Sequence, residues 1–155
     1  MDIEASCLSP ASYPIEVGVV GVGTEYQSLI VPEEGWQHWS AESEAVHGIC
    51  RKALFDKGSP AIEIAHHLNS LLSGATIYSD CKQWDGFWLQ VLYGSVGVTP
   101  RFVVEDLCTL LVDDLAEEYF SAVERIRRSG KYRDHRALDD ARVIFEALKT
   151  VRLVE

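Results

Sequence analysis

Basic residues are scarce in this 155-residue chain: 14 lysines and arginines stand against 24 aspartates and glutamates, for a formal net charge of −10. Such an average argues against long-range attraction to a polyanion, which usually leaves a basic footprint. Closely spaced cysteine pairs are also missing. Cys7, Cys50, Cys81 and Cys108 are scattered, so neither a disulfide framework nor a zinc site is signalled and reduced thiols are expected. Long apolar runs are absent too; Val17 to Val22, broken by glycine, falls far short of the roughly 20 residues a membrane-spanning helix needs. Met1 is followed by Asp2, Ile3 and Glu4 rather than by a basic and then apolar leader, which predicts a cytoplasmic protein with no membrane partner. What remains is an ordinary globular composition, 47% hydrophobic and 25% charged, and a length that predicts one domain over residues 1–155.

The scarcity of positive charge is uneven. Six of the 14 basic residues lie between Arg125 and Arg136 against one acid, Asp134, so that stretch carries +5 and the rest −15. Apolar alternation predicts a short strand over Met1 to Ser6 and antiparallel strands around Ile15 to Val22 and Tyr26 to Val31. Ser59 then Pro60 reads as a cap followed by proline, opening a helix with Ile64, Leu68, Leu71 and Leu72 on its apolar stripe and Gly74 as its stop. Ala75 to Ser79 reads as a buried strand, Trp84 to Tyr93 as a helix and Phe102 to Val104 as a short strand. Leu107 to Arg128 reads as one long or broken helix, acidic early and basic late, and Arg136 to Val151 as a final helix. The predicted order, β-β-β-α-α-β-α-β-α-α, favours an α/β fold with a mixed sheet flanked by helices.

Several carboxylates sit where apolar residues are expected. Asp2 and Glu4, two apart on a strand, leave the same face; alone, the pair would suit a solvated edge. Asp85 precedes Trp88, Leu89 and Leu92 by three, four and seven residues, which puts it on the apolar stripe of its helix. In the last helix Ala137, Ala141, Ile144, Leu148 and Val151 define the buried face, and Asp140 shares it, whereas Asp139 aligns with Arg142 and Glu146 on the polar side. A carboxylate facing a core is costly unless a base or a metal ion compensates it. Asp2, Glu4, Asp85 and Asp140 therefore have reason to converge, and an all-oxygen donor set suits Mg²⁺ or Mn²⁺. Two such ions roughly 4 Å apart support in-line phosphoryl displacement. His135, five residues before Asp140, reaches the same site as proton acceptor if it lies in the loop ahead of the helix.

These residues resemble the DEDDh branch of the DnaQ-like 3′-to-5′ exonucleases. Asp2-Ile3-Glu4 is similar to the first motif, and Ile15 to Val20 to the strand that follows it. Ala45-Val46-His47-Gly48-Ile49 resembles the His-Gly-Ile segment near the substrate's 3′ end. Trp84-Asp85 is similar to the second motif, with Asp80 where an Asn is common, and His135-Arg136-Ala137-Leu138-Asp139-Asp140-Ala141 to the third. The resemblance implies a ribonuclease H-like fold with a five-stranded mixed sheet. It also implies two divalent metal ions, Mg²⁺ or Mn²⁺, held by Asp2, Glu4, Asp85 and Asp140, with His135 as general base and release of nucleoside 5′-monophosphates from single-stranded RNA or DNA 3′ ends. Ala5, Ser6 and His47 would lie along the terminal nucleotide, Ala5 and Ser6 replacing a frequent threonine. Lys131, Arg133 and Arg136 would hold backbone phosphates. Likeness to small RNA-trimming members, some of them homodimers, favours RNA or short oligoribonucleotides. The alternative is a catalytically weak or inactive nucleic-acid- or partner-binding module, suggested by the acidic surface and by a first strand in which Met1 alone precedes Asp2.

Overall fold

Ile3 and Ala5 of the first strand bury with Val17 and Val19 of the second, and Asp2, Glu4 and Glu16 face the opposite way; that alternation positions the site. In the computed structural model, which describes residues 1–112 and 115–154, β1 (Asp2–Ala5), β2 (Pro14–Gly21) and β3 (Thr24–Leu29) form an antiparallel sheet in the order β1-β2-β3. Its register pairs Asp2 with Gly18, Ile3 with Val17 and Glu4 with Glu16. Ile3, Ala5, Val17 and Val19 enter the main core beside Leu68, Trp88 and Leu92. Asp2, Glu4 and Glu16 share the other face.

Helices α1 (Ala41–His47), α2 (Arg51–Lys57) and α3 (Ala61–Leu71) lead into β4 (Thr76–Ser79). They are followed by α4 (Lys82–Val96), β5 (Val103–Asp106), a 3₁₀ turn (Leu107–Leu110), α5 (Leu115–Arg128) and α6 (Ala137–Thr150). α1 opens on Ser40, whose hydroxyl oxygen accepts from the Ser43 N–H, satisfying one of the donors a helix start leaves free. α5 and α6 share a second core of Leu107, Tyr119, Ile144 and Leu148. α6 reaches β2 through Gly18: a Cβ there would overlap the main chain of Ala137, so the glycine lets the start of α6 settle directly above the face that carries Asp2 and Glu4.

The architecture is α/β, but one five-stranded sheet is not what the described residues form. β4 and β5 make a separate parallel pair. The main-chain nitrogen of Met1 donates to the Tyr78 carbonyl at 2.7 Å, yet the next donor along that edge, Ile3 N–H, turns to the Asp85 carboxylate at 3.2 Å. A site acid thus takes a bond that would otherwise knit β1 to β4. One further expectation needs correction. Ser59 does not cap α3; its main chain bonds Leu29 and Val31, extending beside β3, and the helix starts after Pro60 with no side-chain cap. Of the two forms expected for Leu107 to Arg128, one long helix or a broken one, the structure has the broken one, a 3₁₀ turn ending at Leu110 and α5 starting at Leu115, with positions 113–114 lying outside the described residues. Among the described residues, no helix is long and apolar enough to cross a membrane.

Candidate active site

Asp85 is the most tightly built of the acids. It sits in the first turn of α4 and is 1% exposed; one carboxylate oxygen accepts from Ile3 N–H and the other from the Ser79 hydroxyl. Those bonds join three elements, β1, the end of β4 and α4, at one point. Asp140, on the buried face of α6, accepts from the Arg136 N–H at 3.1 Å and from the Arg127 guanidinium at 2.8 Å. Asp139 faces the polar side as its spacing predicts, and pairs with Arg142 at 3.0 Å.

Asp2 and Glu4 differ from both. No donor among the described residues supports either carboxylate; burial and neighbouring acids dominate, opposed at Glu4 only by the smaller pull of the Arg136 charge. Burial first, then Asp85, Glu4 and Asp140, hold the Asp2 carboxyl well above its ordinary range. Burial, with Asp140, Glu16 and Asp85 adding repulsion, pushes Glu4 to about 7. Burial also raises Asp85. Carboxylate oxygens of Asp2, Glu4 and Asp140 lie within 4.8 Å of one another, and so do those of Asp2, Asp80 and Asp85, with Asp2 common to both sets. Acids that destabilise one another and lack donors are an arrangement that stability alone does not explain. Their chemistry fits hard divalent cations, which take carboxylate oxygens in preference to nitrogen or sulfur.

Around them lies a neutralising frame that spacing did not reveal. Glu16, fully buried and opposite Glu4, accepts from Arg136 at two points, 3.0 and 2.6 Å, from the Ala137 N–H at 3.0 Å and from the Gln27 amide at 2.7 Å. It locks the start of α6 to β2. Arg127, from the last turn of α5, bridges Asp134 and Asp140, tying the loop ahead of α6 to the end of α5. The sequence signals for these two were faint: an acid between Ile15 and Val17 in an apolar strand, and one arginine among several.

His135 lies outside α6, with φ 59. This left-handed backbone is uncommon for residues other than glycine, though histidine adopts it more readily than most. The loop position expected for a proton acceptor is therefore met, and the side chain is exposed and borders a cleft of about 290 Å³. Glu4, Ala5 and Cys7 form one wall of this cleft, Ser43 and His47 of α1 the other. His47 is 2% exposed; its Nδ1 accepts from the Ile49 N–H at 3.0 Å, which places the ring proton on Nε2, and Nε2 has no partner among the described residues. Burial lowers its pKa, so the ring is neutral and offers one unused N–H.

The remaining expected contacts divide. Ala5 lines the cleft, while Ser6 is fully buried and its hydroxyl oxygen accepts from the Tyr13 N–H. Arg136 is spent on Glu16 and Lys131 on Glu146, so neither stands free for a phosphate as the sequence suggested. Arg133 is exposed, with Nη2 3.5 Å from the His47 carbonyl at the cleft rim. Trp84 and Trp88 stack on each other at 5.4 Å, Trp88 buried in the main core and Trp84 partly buried against it. Compared with models of known protein families the chain matches none, and no curated protein matches it.

Proposed function

We propose that this chain is a metal-dependent 3′-to-5′ exonuclease of the DEDDh, DnaQ-like kind, acting on single-stranded nucleic acid with RNA favoured. The observation that carries the reading is the meeting of Asp2, Glu4, Asp85 and Asp140 from three separate elements, two of them without donors, beside a cleft that His135 and His47 border. A ribonuclease H-like ancestry is supported by the strand order β3-β2-β1 with the parallel pair β4-β5 held beside β1 through Met1 and Tyr78.

Asp2, Glu4, Asp85 and Asp140 would hold the divalent ions, with Asp80 adjoining. Such ions supply a lowered water pKa and neutralise the charge gathering on the leaving oxygen. The protein's own groups do the rest. His135, exposed at the cleft border, takes the proton of the attacking water on an unprotonated ring nitrogen. The Nε2–H of His47 donates to a hydroxyl of the terminal sugar, and Ala5 gives that nucleotide an apolar wall. The Glu16–Arg136 pair fixes the start of α6, and with it the separation of Asp140 from β1.

Release of nucleoside 5′-monophosphates from RNA and DNA oligomers, followed chromatographically in Mn²⁺, tests this reading. Asp85→Ala and His135→Ala should lower the rate at least about a hundredfold, the scale of losing one acid–base group. Asp139→Ala should stay within about twofold of wild type, because it removes a weak surface pair. Full activity in the first two variants would overturn the assignment. A catalytically inactive binding module is the second reading; the observation favouring it is that Arg127 already neutralises Asp140.

A further inference from the structure

Between the end of α5 and the start of α6 the chain is tied down residue by residue. Lys131 pairs with Glu146, and the Tyr132 hydroxyl donates to the same Glu146 oxygen at 2.7 Å. The Lys131 ammonium also lies over the Tyr132 ring, 4.8 Å from its centre. The Arg133 N–H donates to Asp139 at 3.2 Å, Asp134 pairs with Arg127, and Arg136 pairs with Glu16. The His135 side chain is exposed and has no such tie among the described residues, while its backbone is left-handed, with φ 59. A residue other than glycine keeps that conformation only where its surroundings impose it, so the place of the ring depends on the ties of its neighbours. Arg127 and Arg136 also act on the acids of the site, Arg127 through Asp140 and Arg136 through Glu16 opposite Glu4. Glu146 differs: among the described residues its carboxylate bonds only Lys131 and Tyr132. It stands on α6 two turns beyond Asp139 and on the same face. One rigid helix thus carries both a cluster acid, Asp140, and the anchor of the histidine segment.

We propose that Glu146 is a positioning residue: by holding Lys131 and Tyr132 it keeps the His135 ring at the border of the cleft that Glu4 lines, before any ion or substrate binds. A base held in this way needs no ordering when the substrate arrives, whereas misplacement by about 1 Å costs up to about a hundredfold in rate. The inference rests on the nuclease reading for what the ring does there; the hold of Glu146 on the segment does not, and it is measured without turnover.

The test compares wild type with Glu146→Ala, Glu146→Gln and Tyr132→Phe, and with Glu124→Ala, which removes an exposed pair with Arg128 on α5 and leaves the segment alone. Limited digestion of the ion-free protein by trypsin, with fragments identified by mass, reads the segment directly, because Lys131, Arg133 and Arg136 are its cleavage points. The rate of cutting follows the population of the open form, and losing an acceptor shared by two donors raises that population about tenfold. Glu146→Ala should therefore be cut there about tenfold faster than wild type and Tyr132→Phe about threefold faster. Glu146→Gln, whose amide oxygen still accepts from Tyr132, should stay within about threefold, and Glu124→Ala within about twofold. On single-stranded oligonucleotides in Mn²⁺, Glu146→Ala should lower kcat at least about tenfold and leave KM within about twofold, with Glu146→Gln recovering most of the loss. Mn²⁺ affinity by calorimetry should not change, because the four acids of the cluster are untouched. Cutting at the wild-type rate overturns the inference, as does faster cutting with kcat unchanged, a loss carried by KM, or a loss that follows weaker Mn²⁺ binding. A wild-type protein that hydrolyses nothing, with Glu146→Ala cut faster, would remove the nuclease reading and leave the hold of Glu146 on the segment standing. Hydrolysis that Glu146→Ala leaves intact would do the reverse.

Discussion

Replacing Glu4 by Gln should make the metal-free protein more stable at pH 8, the opposite of what most substitutions of a half-buried residue do. Glu4 ionises near 7 in the fold against 4.5 ordinarily, because burial and the facing acids disfavour its charge. Its folded pKa lies above its unfolded one, so between about pH 4.5 and 7 the native state holds more protons than the unfolded state. Stability contributed by the protonated group is complete at low pH, falls as pH rises through that window, and is lost above it. At 1.36 kcal/mol per tenfold the shift corresponds to about 3 kcal/mol. A Gln amide without partners gives back about 1, leaving roughly 2 kcal/mol in favour of the variant. For a chain of this size each kcal/mol moves Tm by about 2–4 °C, so Glu4→Gln should melt about 4–8 °C above wild type at pH 8 in chelator. At pH 4, where Glu4 is mostly protonated folded or unfolded, only the cost of the amide remains and the variant should melt about 2–4 °C below wild type. Thermal unfolding followed by circular dichroism at both pH values decides it. A variant equal to or less stable than wild type at pH 8 would refute the reasoning, because Glu4 would then carry its charge without strain and the argument that these acids await a cation would lose its energetic basis.

Three other outcomes follow from the same geometry. Mn²⁺ should raise Tm more at pH 8 than at pH 5.5, because ligand carboxylates must be deprotonated and Glu4 is mostly protonated below 7; an equal rise at both pH values would contradict this. Glu16→Gln leaves the half-buried Arg136 charge without its partner and should cost about 3 kcal/mol, lowering Tm by about 6–12 °C; a change under about 2 °C would show that the pair does not hold α6 in place. Gly18→Ala forces a methyl into the Ala137 main chain and should cost about 3 kcal/mol or more; a melting point near wild type would mean that α6 can shift freely on β2.

The parts of the site that follow from periodicity were legible in the sequence. Asp85 and Asp140 were placed inward by three- and four-residue spacings, which is all that helix geometry needs, and both are buried. Asp2 and Glu4 were placed together by strand alternation. What remained hidden depended on pairing between distant segments. Nothing local announces that Glu16 will face Glu4 across β1 and β2, or that Arg136 will be drawn 120 residues back to it. A run of bases looks like a phosphate track until each is matched with its acid, and four of the six turn out to be engaged. The split between the two sheets was equally unreadable, because it turns on one amide, Ile3 N–H, choosing a side chain over a neighbouring strand.

One time course tests metal-dependent 3′-end hydrolysis most directly: 5′-labelled single-stranded RNA and DNA oligomers incubated with wild-type protein in Mn²⁺, in Mg²⁺ and in chelator, beside His135→Ala. The predicted result is a ladder shortening from the 3′ end that needs the divalent ion and disappears in the variant. No shortening of either strand by correctly folded protein, or shortening unaffected by chelator and by loss of His135, would contradict it.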